Sequence, residues 1–180
     1  MPRISKSLYL ASVFGGSFLA ISALAESQTS GRRSEARILL VVAGLLQVYA
    51  GAMFLRLIHR SWAAIQDGHA RMTPAKAVGL MLVPLFNLYW QFEVFVGFAK
   101  DFNSYISRHA LRIMRQQVWQ FVIFSVLSLA GFVVSVHRIM GLRMIPRPVA
   151  GAVLLAGVVA AIVVVLRLCS AVNALAGARS

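Results

Sequence analysis

Five apolar segments alternate with short polar connections along the chain. They cover residues 8–25, 38–58, 77–99, 118–136 and 149–168. Each is close to the roughly 20 residues that a helix needs to cross about 30 Å of hydrocarbon. No stretch alternates apolar and polar residues over enough length to indicate a transmembrane barrel. The pattern predicts an all-α fold, an integral membrane helix bundle that forms a single domain over residues 1–180.

The third segment, residues 77–99, differs from the other four. Pro84 removes a backbone hydrogen bond from the helix, and Asn87 and Glu93 follow it among Tyr and Trp, which favour the membrane interface. We expect a kinked or re-entrant helix in which Asn87 bonds groups that the break exposes. The prediction is therefore four transmembrane helices plus one broken helix, with five full spans as the alternative.

The distribution of basic residues favours the re-entrant form. If the third segment crosses the membrane, the 18 Lys and Arg divide nine to nine between the two sides; if it turns back, they divide twelve to six. Membrane proteins normally carry the excess on the cytoplasmic side. We therefore expect residues 59–76, residues 100–117 and the C-terminus to be cytoplasmic in a bacterial inner membrane. Residues 26–37 and 137–148 then lie outside.

Composition agrees with a membrane location. Apolar residues make up 59 % of the 180 residues and charged residues 13 %, against about 45–50 % and about 25 % in soluble domains. The formal net charge is +13, which on a soluble protein would suggest nucleic acid. Here the basic residues lie between apolar segments, where they would meet anionic lipid headgroups. We expect the lipid bilayer and anionic lipids as partners, and no nucleic acid.

The first segment also has features of a signal peptide. Arg3 and Lys6 precede it, and it ends in Ala-Leu-Ala at residues 23–25. Its 18 apolar residues exceed the usual 7–15 of a signal peptide, so we favour a retained first helix.

A basic loop, a TPxxAVG entry at Thr73–Gly79 and a PxxNLxW break at Pro84–Trp90 follow one another within residues 54–103. In this stretch the chain resembles an uncharacterised family of small multi-pass bacterial membrane proteins. The sequence departs from the family pattern at Glu93 and at residues 97–101, where many relatives are more basic. The resemblance implies the membrane architecture and implies no activity.

Two charged features have two interpretations each. Glu93 is the one acidic residue within an apolar segment. It is either a functional group at membrane depth or an interfacial carboxylate paired with a nearby Arg or Lys, and we favour the second interpretation.

Arg108, Arg112 and Arg115 have the spacing of one helical face. That face would bind lipid headgroups as part of an amphipathic helix, or it would be a solvated extension of the next helix.

Small residues recur at every fourth position in two segments, which lets helices pack closely within one subunit or between subunits. The two predicted packing stripes are Ser12, Gly16 and Ala20 in the first segment, and Ala152, Ala156 and Ala160 in the fifth.

The sequence contains no catalytic, cofactor or metal motif that we recognise. The four histidines lie at segment ends or in connections, and Cys169 has no partner cysteine. We therefore expect no cofactor, no metal and no enzymatic activity. The leading hypothesis is an oligomeric small pore or a structural subunit of an envelope complex. The alternative is a small ion-coupled transporter that uses the broken helix around Pro84, Asn87 and Glu93.

Overall fold

The computed structural model describes residues 4–15, 33–83, 85–142 and 144–178, with the backbone alone for residues 33–36. Within these ranges the chain forms helices and no strand. The helices are α1 (Lys6–Leu10), α2 (Arg33–Ala64), α3 (Pro74–Gly79), α4 (Phe86–Arg108), α5 (Val118–Ile139) and α6 (Arg147–Ala178). A π-helical turn, Ala11–Gly15, extends α1, and a 3-10 turn, Leu80–Leu82, extends α3.

Three helices in the described part of the chain are long and apolar enough to cross a membrane. They are Arg37–Ala64 within α2, and the whole of α5 and α6. They contain the second, fourth and fifth predicted segments. Most of the first segment, from residue 16 onward, lies outside the described residues. The predicted all-α, membrane-type helix bundle is confirmed.

The third segment is divided between α3 and α4. Thr73 caps α3 by accepting a hydrogen bond from the Lys76 amide, and Pro74 follows at the first helical position, where its missing N–H costs nothing. The helix then stops: Val83 is extended, and Leu85 has a φ of 63°, an uncommon value for a residue other than glycine. The predicted break is therefore present between Leu82 and Phe86, although Pro84 itself lies outside the described residues.

The buried core is rich in aromatic side chains from three helices. Phe98 of α4 packs edge-on against Trp62 of α2, with ring centroids 5.9 Å apart, and it also contacts Phe121 of α5. Phe95 packs against Phe124 with centroids 4.8 Å apart. The buried face of α4 therefore joins α2 to α5, although α4 itself is not among the candidate spans.

Helices α5 and α6 approach each other through glycine. A Cβ atom at Gly131 would lie 3.7 Å from Leu154 Cδ2, and one at Gly157 would lie 3.9 Å from the Leu127 carbonyl oxygen. Small residues at such contacts are typical of helix packing in lipid, where apolar burial gives no driving force between helices.

Candidate functional site: an ion-pair cluster and an apolar groove

Residues 65–73, which connect α2 to α3, are tied to α4 by two arginine–carboxylate pairs. In the first pair, Arg108 donates to one Asp67 oxygen, from Nη2 at 2.7 Å and from Nε at 3.0 Å. The Asp67 side chain is only 10 % exposed. Charge-assisted bonds of this length are among the stronger polar contacts in proteins, so this pair fixes the start of the connection against the last turn of α4.

The second pair is centred on Arg71. Its Nε and Nη2 both lie 2.9 Å from Asp101 Oδ1, and its backbone N–H donates to Asp101 Oδ2 at 2.9 Å. Its Nη1 also lies 3.7 Å from Glu93 Oε2, and the Tyr89 hydroxyl donates to the other Glu93 oxygen at 3.2 Å. Because Glu93 and Asp101 are two helical turns apart on one face of α4, a single guanidinium bridges both.

Gly97 lies on the same face, between Glu93 and Asp101. A Cβ atom there would lie 3.2 Å from Arg71 Cδ, closer than ordinary van der Waals contact. The missing side chain lets the stem of Arg71 lie flat against the helix while its guanidinium reaches both carboxylates. We name the set Asp67, Arg71, Glu93, Asp101 and Arg108 the ion-pair cluster.

The environment of Asp67 favours its charged form. Partial burial by itself raises the pKa of this carboxyl, but the hydrogen bonds from Arg108 and from the His69 backbone N–H, together with the charge of Arg108, outweigh burial. The pKa of Asp67 therefore lies below its ordinary value of 3.8, and the pair with Arg108 is fully ionised at neutral pH.

The contacts of the ion-pair cluster place the two ends of the third segment at the same end of the bundle. Asp67 precedes α3 and Arg108 ends α4, yet the two side chains are in direct contact. On the other flank, the Asn103 amide donates to the Gln116 carbonyl at 2.9 Å and accepts from the Gln116 N–H at 2.7 Å. Residues 65–73, before α3, and residues 109–117, after α4, therefore lie at one end of the bundle. A full span would put about 30 Å of hydrocarbon between them, so this arrangement fits the re-entrant form.

Residues near the beginning and near the end of the described chain meet at this same end of the bundle. The Asn173 side chain of α6 accepts from the Ile4 N–H at 2.6 Å and donates to the Ile4 carbonyl at 2.8 Å. We name this end, with residues 65–73, residues 109–117 and Asn173, the polar end.

The prediction that Arg108, Arg112 and Arg115 share one helical face is wrong. Helix α4 ends at Arg108, and Ala110 adopts a φ of 50°. The Leu111 N–H bonds the Ile106 carbonyl and the Ala110 N–H bonds the Ser107 carbonyl, which is the Schellman ending of a helix. Glycine usually occupies the left-handed position, so the alanine there gave no sequence signal.

The three arginines consequently have different environments. Arg108 is engaged with Asp67. Arg115 is exposed and donates from Nη2 to the Ser107 hydroxyl at 3.1 Å. Arg112 is exposed on the irregular segment between α4 and α5. Their binding to lipid headgroups stays a prediction.

The predicted polar site at the helix break is only partly brought together. The Asn87 backbone N–H bonds the Val83 carbonyl at 3.0 Å across the break. The Asn87 side chain does not make the bond we expected through its oxygen: Oδ1 is buried and has no hydrogen-bond partner among the described residues. Glu93, six residues further along α4, belongs to the ion-pair cluster instead.

The two small-residue stripes also differ. Ser12 is nearly buried and its hydroxyl lies 3.4 Å from that of Tyr49 on α2, so it packs within the chain; Gly16 and Ala20 lie outside the described residues. Ala152, Ala156 and Ala160 line an apolar groove between α5 and α6 with a volume of about 500 Å³. This stripe faces open space, because the contact between these helices runs through the glycines described above.

Sequence reasoning missed Asp67, Arg71 and Asp101. Their pairing joins positions 30 and 41 residues apart, which no local pattern reports. The available signal was the scarcity of acidic residues, 5 in 180. In the described part of the chain, no three His, Cys, Asp or Glu side chains converge as metal ligands would.

Comparison of the chain with protein-family models, with curated proteins and with solved structures finds no match. The resemblance over residues 54–103 stays a prediction.

Proposed function

We propose that this chain is a non-catalytic multi-pass protein of the bacterial inner membrane that serves as a structural subunit, in a homo-oligomer or an envelope complex. The ion-pair cluster carries the proposal. All three carboxylates whose side chains are described, those of Asp67, Glu93 and Asp101, are paired with arginine at the polar end. They hold residues 65–73 against α4, so each of these carboxylates already has a structural partner.

The apolar composition of the buried core favours a structural subunit and disfavours a pore formed within a single chain. The largest fully buried side chains are aromatic or aliphatic, and Trp62, Phe98 and Phe121 meet at the centre of the described bundle. A water-filled path would need polar groups along it. A pore built from this protein would therefore have to be lined by several copies.

Helix α2 offers a surface for contact between copies. Gly44 and Gly51 are exposed and lie two turns apart, and small residues on the outer surface of a spanning helix let a second helix approach closely. The exposed face of α2 is the contact that we expect in a homo-oligomer.

Reconstitution tests the proposal. We expect purified protein in lipid nanodiscs to give one discrete oligomeric mass, or to co-purify with a fixed partner, and proteoliposomes to show no ion flux above empty vesicles. Selective flux that scales with protein content would contradict a structural role.

The orientation has its own test. In a Cys169→Ser background, we expect Ser104→Cys at the polar end to react with an impermeant thiol reagent from the cytoplasmic side. Met140→Cys, between α5 and α6, should react from the opposite side. Labelling of both positions from one side would contradict the topology.

An ion-coupled transporter is the second candidate, and the helix break with the unpartnered Asn87 Oδ1 favours it. Transport that needs the Glu93 carboxylate would be lost in Glu93→Gln and kept in Tyr89→Phe, which removes only the hydrogen bond to Glu93. Equal, background flux in the wild type and both variants would dismiss this candidate.

A further inference from the structure

The groove between α5 and α6 has the shape of a site for one hydrocarbon chain. Its lining runs from Trp119 to Leu127 on α5 and from Ala152 to Val163 on α6, which is about 12 Å and about 16 Å at about 1.5 Å per residue. That length is close to half of the roughly 30 Å of hydrocarbon in a bilayer. The volume of about 500 Å³ falls within the usual range for small-molecule sites.

Arg167 lies one helical turn beyond Val163, at the end of the groove that is nearer to the polar end of the bundle. It lies about 30 Å along α6 from Arg147, a separation of one hydrocarbon thickness that would put the two arginines at opposite membrane surfaces. Its Nη1 lies 4.0 Å from Met114 Sδ. No carboxylate among the described residues lies within 4.0 Å of this guanidinium, although it is half-buried.

Two further polar groups belong to the same region of the fold. Arg115 follows Met114 directly in the chain and is exposed, with one nitrogen on the Ser107 hydroxyl. Gln120 lines the groove, and its Oε1 is buried without a hydrogen-bond partner among the described residues. A partly buried cation and an unpartnered amide oxygen at an apolar groove are complementary to a ligand with an anionic head that also carries a hydrogen-bond donor, and with an apolar tail.

We propose that this groove binds an anionic phospholipid, with one acyl chain between α5 and α6 and the phosphate held by Arg167 and Arg115. The acyl chain fills space that would otherwise leave Leu155, Ala156 and Val159 without contact partners. Gln120 Oε1 accepts a hydrogen bond from a headgroup hydroxyl, as the glycerol headgroup of phosphatidylglycerol could provide. The inference rests on the membrane location in the proposed function, and it is independent of the structural role.

Native mass spectrometry of protein extracted from vesicles of phosphatidylglycerol or phosphatidylcholine tests the proposal. We expect the wild type to retain phosphatidylglycerol preferentially. Each basic group near an anionic surface contributes about fivefold in binding, so the double variant Arg115→Gln, Arg167→Gln should weaken retention about 25-fold. Arg147→Gln, at the opposite end of α6, is the matched control and should leave retention unchanged.

A second variant tests the groove itself. Ala156→Phe places a ring in the space of the acyl chain and should reduce retention of both lipids, whereas Ala75→Phe, an exposed alanine on α3, should not. Excess inorganic phosphate should leave the lipid bound, because it lacks the acyl chain. Thermal unfolding in detergent checks that each variant is folded.

Three results would overturn the proposal: equal retention of the two lipids by the wild type, retention that Ala156→Phe does not change, or a change of oligomeric mass in Ala156→Phe without a change in lipid. The last would assign the groove to a second copy of the chain. Ion flux by protein that still retains the lipid would refute the structural role and leave the lipid site in place.

Discussion

Helices α4 and α6 differ strongly in the kind of surface that they present. One face of α4 is buried against aromatic side chains, and another carries Glu93, Asp101 and Arg108, all of them paired. Helix α6 is apolar over most of its 32 residues, with Leu155, Val158 and Val159 exposed. Helix α6 is a candidate membrane span, and α4 is not.

The difference shows that two kinds of force hold the bundle together. Helix α4 is positioned by directional contacts, because each arginine reaches particular carboxylates and the rings pack in particular orientations. The first half of helix α6 contacts α5 closely at glycine and otherwise exposes apolar surface of the kind that a bilayer solvates. Its second half, which includes Val164, Leu168 and Val172, is buried in the core. Substitutions at the polar end should therefore affect stability more than similar substitutions on the outer face of α5 and α6.

The largest effect is expected in the aromatic core. Phe98→Ala removes a fully buried ring that contacts Trp62, Phe102 and Phe121, and should lower the free energy of unfolding in detergent by about 3–5 kcal/mol. Phe132→Ala, on the exposed face of α5, should cost less than about 1 kcal/mol. Equal losses for the two would mean that α5 is held as tightly as α4.

The next effect is expected from the ion-pair cluster. Arg71→Ala leaves Asp101 and Glu93 without their shared partner and should lower the free energy of unfolding by about 1–2 kcal/mol, a value reduced by the partial exposure of the guanidinium. Arg56→Ala, an exposed arginine on α2, is the control and should stay within about 0.5 kcal/mol of wild type. Limited proteolysis should also cut residues 65–73 faster in Arg71→Ala only.

A smaller effect should depend on pH through Asp67. Because its folded pKa lies below 3.8, the stabilisation is complete above that value and is lost as pH falls through the folded pKa. The difference in free energy of unfolding between wild type and Asp67→Asn should be constant above about pH 5 and should close below about pH 4. Comparison with Asp67→Asn cancels the titration of other carboxyls. A difference that persists to pH 2 would contradict the pairing.

The smallest effect, and the most specific, concerns glycine. In a helix interior, Gly→Ala gains up to about 1 kcal/mol from backbone entropy, and we expect part of this gain at Gly151 of α6, where no described side chain lies within 4 Å of the new Cβ. Gly97→Ala should show no gain or a loss, because its Cβ displaces Arg71. Combining Gly97→Ala with Arg71→Ala should restore the gain, which a double-mutant cycle measures.

The amino-acid sequence by itself determined the class of fold and the position of the helix break. Apolar runs of membrane length specify helices without reference to their neighbours, since each helix satisfies its own backbone in lipid. Likewise, the break in the third segment needs only local residues, with Thr73 and Pro74 starting α3 and no regular helix continuing past Leu82.

Only the tertiary structure decided which polar groups meet. Asp67 and Arg108 are 41 residues apart, and their contact depends on the return of α4 beside the connection from α2. The end of α4 likewise depends on an alanine in a conformation that usually belongs to glycine, with Asn103 bonding Gln116 beyond the helix end. Periodicity reports which residues share a face, but the partner of that face is set by long-range packing. The spacing of Ala152, Ala156 and Ala160 was enough to identify a stripe of small residues. Their position along an open groove depends on the packing of α5 against α6 through glycine.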